Sequence, residues 1–375
     1  MNPCFFASAF TFSCLFGGEM RKESFEFFKK LLAAPSPSGY EQPAQRVFRD
    51  YVAPFADIST DVMGNVIAFQ KGGGKGLPRV MLIGHSDEIG FQVKYIDDNG
   101  FIYFAPIGGV DPHLLPGQRV NIHGRNGALL GVIGKKPIHL MENKDRETVV
   151  KLESQYIDIG ASGKKEAEQL IRVGDPVTFS WGVEKLHGDR ATSRGFDDKA
   201  GSFVVAEVMR SVFEAAKKPR IDFYGVSSVQ EEVGLRGGAT SSYSVNPDIG
   251  ICVEVDFSTD QPDVEKKHNG EVGLGKGPIL PRGANINPAL FELLAEVATK
   301  KKIPVQFTGI PKASGTDANV MQISRGGVVT ALVKIPLRYM HTPVEVLSLS
   351  DLDNAVKLIT EVLYHIKDKG SFIPA

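Results

Sequence analysis

One stretch in the first half of the chain breaks the pattern of everything around it. Between about residues 90 and 190, short β-rich pieces follow one another: "FIYFAPIGG", "QRVNIHG", "GALLGVIG", "ETVVKLE", "QYIDIGA" and "DPVTFSW". Glycine or charged turns separate them, with a single short helical piece, "KKEAEQLI". Strands at that spacing predict a small barrel or sandwich folded as a module of its own.

On both sides the chain alternates between helical and strand-like periods. "SFEFFKKLLAAP" and "EQPAQRVFRDYV" place apolar residues three and four apart, "STDVMGNVIAF" reads as two short strands around a Gly-Asn turn, and "RVMLIGHSDE" is a buried strand with a polar end. After the module, "KAGSFVVAEVMRSVFEAAKK" is a helix, while "RIDFYGVSSVQ", "DIGICVEVD" and "GGVVTALVKI" are strands. "PALFELLAEVATKKK" is a helix with residues 290, 293, 294 and 297 on one face, and "TDANVMQIS" is a short helix. The closing helix, "SDLDNAVKLITEVLYHI", carries Ser350 and Asp353 in the spacing of a capping box. The predicted fold is α/β: a helix-flanked central mixed sheet over 20–90 and 190–375, with an inserted small β-barrel domain over 91–189.

Bulk properties narrow the function by exclusion. A 375-residue chain with 42% hydrophobic and 23% charged residues is an ordinary globular protein, long enough for one large domain and a smaller one. A net charge of −1 gives no electrostatic reason to expect nucleic acid or an anionic membrane as partner. No apolar run reaches the roughly 18 residues a membrane span needs. Cys4, Cys14 and Cys252 form no legible disulfide framework or thiolate zinc site, which fits a reducing, cytoplasmic setting. The opening "MNPCFFASAFTFSCLFGGE" is apolar like a signal peptide, yet the first basic residue is Arg21. It is read as an N-terminal extension over 1–19, with Met20 opening the fold.

In open α/β sheets, ligands bind beyond the carboxyl ends of the strands. The polar residues that fall there are His85 and Asp87 ("LIGHSDE"), Asp197 and Asp198 ("SRGFDDKAG"), Glu231 and Glu232 ("SSVQEEVG"), Asp256 ("CVEVDFS") and His341 ("PLRYMHTPVE"). A lone histidine is usually a core or surface residue, and an acidic pair is usually a solvated face. Two histidines and several carboxylates recurring at strand ends are a different matter. They are the nitrogen and oxygen donor mix suited to Zn²⁺, Co²⁺ or Mn²⁺.

In this order, "GHSDEIGF", "FDDKAG", "QEEVGLRGG", "VEVD" and "RYMHTPVE" resemble the glutamyl-aminopeptidase or tetrahedral-aminopeptidase family of dinuclear metallopeptidases (metallopeptidase family forty-two). The likeness runs from about Met20 to the C-terminus and includes "YIDIGASGKKEAE", "GLGKGPIL" and "SGTDANVMQ". One small departure is Gly84, where alanine is expected before the first ligand, and it should matter little. The resemblance implies a zinc-exopeptidase-like fold that holds two divalent ions per subunit. His85 and Asp256 would bind one ion, Glu232 and His341 the other, and Asp197 would bridge both. Asp87 would orient His85, Glu231 would be the general base, and the Asp197–Asp198 peptide bond would be cis. The activity implied is removal of N-terminal residues from short peptides with a free N-terminus. The β module would serve dimerisation, with dimers building up to a tetrahedral dodecamer.

Rival readings are another dinuclear amidohydrolase (a deacylase or carboxypeptidase), a glycosidase, since some relatives carry cellulase labels, and a non-catalytic scaffold. A glycosidase needs two carboxyls across a sugar and no histidines. A dead scaffold would be expected to lack a ligand or the base. Of the remaining candidates, His113, His123, His139, His187, His268 and His365 are read as structural or exposed. Asp317 is read as a helix cap with a substrate-pocket role as the alternative, and Arg338 and Tyr339 are pocket candidates by proximity to His341 alone. "KGGGKG" lacks the Gly-Lys-Ser/Thr ending of a phosphate loop and is a flexible turn.

Overall fold

The computed structural model describes residues 20–373. A mixed eight-stranded sheet runs in the spatial order Asp57–Thr60, Val66–Gln70, Asp222–Ser228, Arg79–His85, Ile249–Phe257, Val329–Leu337, Ile279–Gly283 and Gln306–Ile310. The four strands from Asp222–Ser228 to Val329–Leu337 are mutually parallel, so their carboxyl ends open on one edge. Their near-continuous runs of Val, Ile and Leu suit strands covered on both faces.

The helix Phe196–Glu214 lies against the strands Arg79–His85 and Ile249–Phe257 and is buried over most of its length. Lys22–Ala33 adds Phe27, Phe28, Leu31 and Leu32 to the same core. The close approach of helix to sheet also explains Gly84. A Cβ there would lie 2.5 Å from the carbonyl carbon of Gly201, so glycine at this position lets the helix lie directly on the strand.

Six antiparallel strands close the inserted barrel, in the order Gly90–Ile96, Ile102–Ile107, Tyr156–Asp158, Gly127–Gly134, Arg119–Gly124 and Pro176–Phe179. Phe91 meets Phe104 and Phe179 edge-on inside it, surrounded by Val93, Ile102, Val120, Ile122, Ile133, Ile157 and Val177. "ETVVKLE" is not a strand. Tyr156–Asp158 takes the ladder position beside Gly127–Gly134, and Val149 is left facing solvent.

The chain returns from the barrel through Arg190–Ser193, which pairs with Glu345–Ser348. The final helix, Leu349–Leu363, starts after Ser348, and the Ser350 hydroxyl donates to Asp189 Oδ2 at 2.6 Å. The expected capping box therefore does not form. Among the described residues no helix is long and apolar enough to cross a membrane. The proposed extension over 1–19, with Cys4 and Cys14, lies outside the described residues; Cys252 is a buried free thiol.

Candidate metal centre

At the open edge of the sheet the strand-end residues gather into one cluster. His85 is the last residue of its strand and is 1% exposed. Its Nδ1 faces the Asp87 carbonyl oxygen at 3.0 Å, which turns Nε2 towards the carboxylates. From Nε2, Asp197 Oδ1 is 3.3 Å away, and Glu231 Oε2 and Glu254 Oε1 are each 3.7 Å away. The other oxygen of Asp197 lies 3.3 Å from His341 Nε2, which also lies 3.3 Å from Glu232 Oε1. Asp197 thus stands between the two imidazoles. Its peptide bond to Asp198 is cis.

Two donor groups emerge, His85 with Asp198 and Glu254, and His85 with Asp197 and Glu232. In each, one ligand atom per residue falls within 4.8 Å of the others. Asp198 is engaged elsewhere, since its oxygens accept the backbone N–H groups of His85 and Gly201.

Asp256 is not in the cluster, and Glu254 stands in its expected place. Alternation puts both residues of "VEVD" on one face of the strand. Glu254 is two residues deeper, beside His85. Asp256 sits at the rim, where Oδ2 accepts from Lys334 Nζ at 3.1 Å and Oδ1 from the Phe257 backbone N–H at 2.9 Å.

Asp87 does more than face His85, whose Nδ1 is 3.3 Å from Asp87 Oδ1. That oxygen accepts the Glu231 N–H at 3.0 Å, and Oδ2 accepts the Glu232 N–H at 3.1 Å and the Ser38 hydroxyl at 2.7 Å. One buried carboxylate therefore aims both glutamates. Reading the sequence missed four further buried charges. Glu345 accepts the backbone N–H groups of His341 and Asp197. Glu88 is clamped by Arg194 and by Lys199, the latter at 2.9 Å. The one signal available was their position beside the motifs, in "HSDE", "SRGFDDK" and "PVEV".

Asp317 is the first residue of its helix rather than the cap, and accepts from Ser228 Oγ at 2.6 Å. The barrel also reaches the site, because the Gly109 carbonyl lies 2.8 Å from His341 Nδ1. His123, half-buried, lies 2.9 Å from Thr178 Oγ1. Arg338 pairs with Asp260 at 2.7 Å, and Tyr339 is exposed.

Crowding so many carboxyls together perturbs them strongly. Burial, reinforced by Glu254, Asp317 and Glu232, pushes Glu231 up to about 10 against the pull of His85. Burial and the charge of Asp197 push Glu254 up to about 8. The bonds to Asp197 and Glu232 push His341 up to about 11. Protons are held here as counter-charge, the task a bound cation performs in a metal site. Glu232 Oε1 is buried and, apart from the 3.3 Å contact with His341 Nε2, has no hydrogen-bond partner among the described residues, an under-satisfied acceptor in the same place.

This fold, with its nitrogen and oxygen donors at the strand ends, defines a zinc-exopeptidase-like hydrolase. Residues 64–358 match the M42 glutamyl aminopeptidase family, and the chain belongs to it. It is a peptide hydrolase of the aminopeptidase class. The lysyl aminopeptidase of Pyrococcus furiosus is 40% identical over 91% of this chain and 97% of its own. The solved TET aminopeptidase of a marine sediment archaeon of the Thaumarchaeota superposes with a TM-score of 0.88 at 34% identity, covering 94% of this chain and 99% of its own. The TET1 peptidase of Pyrococcus horikoshii, described as assembling into a tetrahedron or a large octahedral shell, gives 0.81 at 31% identity over 92% and 100%.

Proposed function

We propose that the protein is a dinuclear-metal aminopeptidase that removes residues from the free amino end of short peptides. The observation that carries this reading is the convergence of His85, Asp197, Glu232, Glu254 and His341, with Asp197 between the two imidazoles. His85 and Glu254 would hold one divalent ion, Glu232 and His341 the other, and Asp197 would touch both. Zn²⁺, Co²⁺ and Mn²⁺ all suit such donors. When bound, the pair would supply Lewis-acid polarisation of the scissile carbonyl and lower the pKa of a water towards neutrality.

Glu231 supplies the proton transfer. It lies outside the metal-holding five, and Asp87 fixes its backbone N–H. Its carboxylate takes the proton of the attacking water and delivers it to the leaving amine. Glu232 diverges from it, as neighbouring side chains on extended backbone do, and is free to coordinate. The barrel, which leaves Leu130, Val132, Val173 and Trp181 exposed, would carry contacts between subunits. The test compares a free-amine peptide with its N-acetylated form, before and after chelation and reloading with Zn²⁺ or Co²⁺. Strong preference for the free amine with metal-dependent recovery is expected. Equal turnover of the acetylated peptide would point to a deacylase instead.

A further inference from the structure

Lys334 is a buried cation beside a place where another cation would bind. It lies within the strand Val329–Leu337, is 6% exposed, and stands directly opposite Glu254 in the parallel register. Opposed residues on neighbouring strands project from the same face of the sheet. Alternation brings Asp256 to that face as well, and Asp256 Oδ2 accepts from Lys334 Nζ at 3.1 Å. No second hydrogen bond from this ammonium is found among the described residues. Across three adjacent strands the face therefore carries His85, then Glu254, then Lys334. The other half of the cluster is flanked by a carboxylate, Glu345, which accepts the His341 N–H at 3.0 Å.

We propose that Lys334, held in place by Asp256, weakens divalent-cation binding at the His85–Glu254 half and so sets its affinity apart from that of the Glu232–His341 half. The inference rests on the dinuclear reading above. The sign follows from charge alone. A divalent ion brings two positive charges, whereas any proton it displaces from Glu254 removes one. Lys334 therefore repels the loaded state more than the empty one in either case. Asp256 acts in the opposite sense by offsetting the ammonium. It is a positioning and compensating residue, not a ligand.

The full-length protein, stripped by chelation, is titrated with Co²⁺ in competition with a chelating dye, and ligand-field absorption is read alongside. Two equivalents of unequal affinity are expected. Lys334→Met should tighten the weaker one about tenfold, the change that roughly 1.4 kcal/mol of relieved repulsion represents. Lys334→Arg should leave it unchanged, and Asp256→Asn should weaken it by a similar factor. The double variant Asp256→Asn/Lys334→Met should return close to the wild type. Thermal melting of each variant checks folding, and Lys334→Gln substitutes if the methionine variant fails. Unaltered affinities in folded Lys334→Met or Lys334→Gln protein overturn the proposal. Loss of one equivalent in the double variant overturns it too, by making Asp256 a ligand. Fewer than two equivalents in the wild type would instead bring down the dinuclear reading, and this inference with it.

Discussion

Replacing Glu231 by glutamine should make the metal-free protein more stable while disabling it. In the stripped fold, burial and neighbouring carboxyls push the Glu231 carboxyl from its ordinary 4.5 up to about 10, so near neutrality it is held protonated. The unfolded chain ionises the same group at its ordinary value. A raised folded-state value in an acid means that the native state binds more protons. Stability then falls as pH rises from about 4.5 towards 10. At pH 7 the penalty has a ceiling of about 3.4 kcal/mol, at about 1.36 kcal/mol per pH interval. Coupling to His85 and Glu254 lowers it to an expected 1–3 kcal/mol, roughly. Glutamine resembles the protonated acid in shape and cannot ionise, so Glu231→Gln should escape this loss. Urea unfolding of chelator-treated wild type and variant between pH 5 and 9 gives the answer. The wild type should fall away from the variant as pH rises. With metal restored, turnover should drop about 10²–10⁴-fold with metal content unchanged. Parallel pH curves, or a variant that loses its metal, would refute the reasoning.

Other outcomes follow from single contacts. Asp87→Asn turns an amide N–H₂ towards the Glu231 or Glu232 N–H and should cost about 2–4 kcal/mol in chemical unfolding, with turnover falling further than metal content. His341→Ala should remove about one equivalent of bound metal by elemental analysis, whereas retention of both would end its assignment. Gly84→Ala forces a methyl against Gly201 and should destabilise by about 1–3 kcal/mol in thermal melting. Lys199→Met leaves buried Glu88 with one cationic partner fewer and should cost about 3–5 kcal/mol by denaturant titration.

The two-period alternation and its β-rich interruption were legible because periodicity reports which face is buried, and both the sheet and the barrel obey it. The cluster was legible wherever a polar residue ended an apolar run, as at His85, Glu231, Glu232 and His341. It failed at "VEVD", where two acids share a face and periodicity cannot say which lies deeper. Register decided that, together with Lys334, which sits inside "VVTALVKIPL" and gives no outward sign of its partner across the sheet. Gly84 looked like a neutral change because the helix that requires it lies more than a hundred positions further along the chain. Buried Glu88, Glu345 and Lys199 were hidden for a related reason, since a charged letter beside a motif does not reveal whether it faces water.

The barrel opens at Gly90 and the return strand ends at Ser193, so the module hangs between His85 and Asp197 like a loop of rope tied at two neighbouring posts. Both knots lie within a few residues of a proposed ligand, and the Glu88–Arg194 contact cinches them together. A tilt of the module that loosened this cinch would tug on both posts at once. Whatever grips the barrel from outside therefore has a short mechanical path to the proposed metal centre.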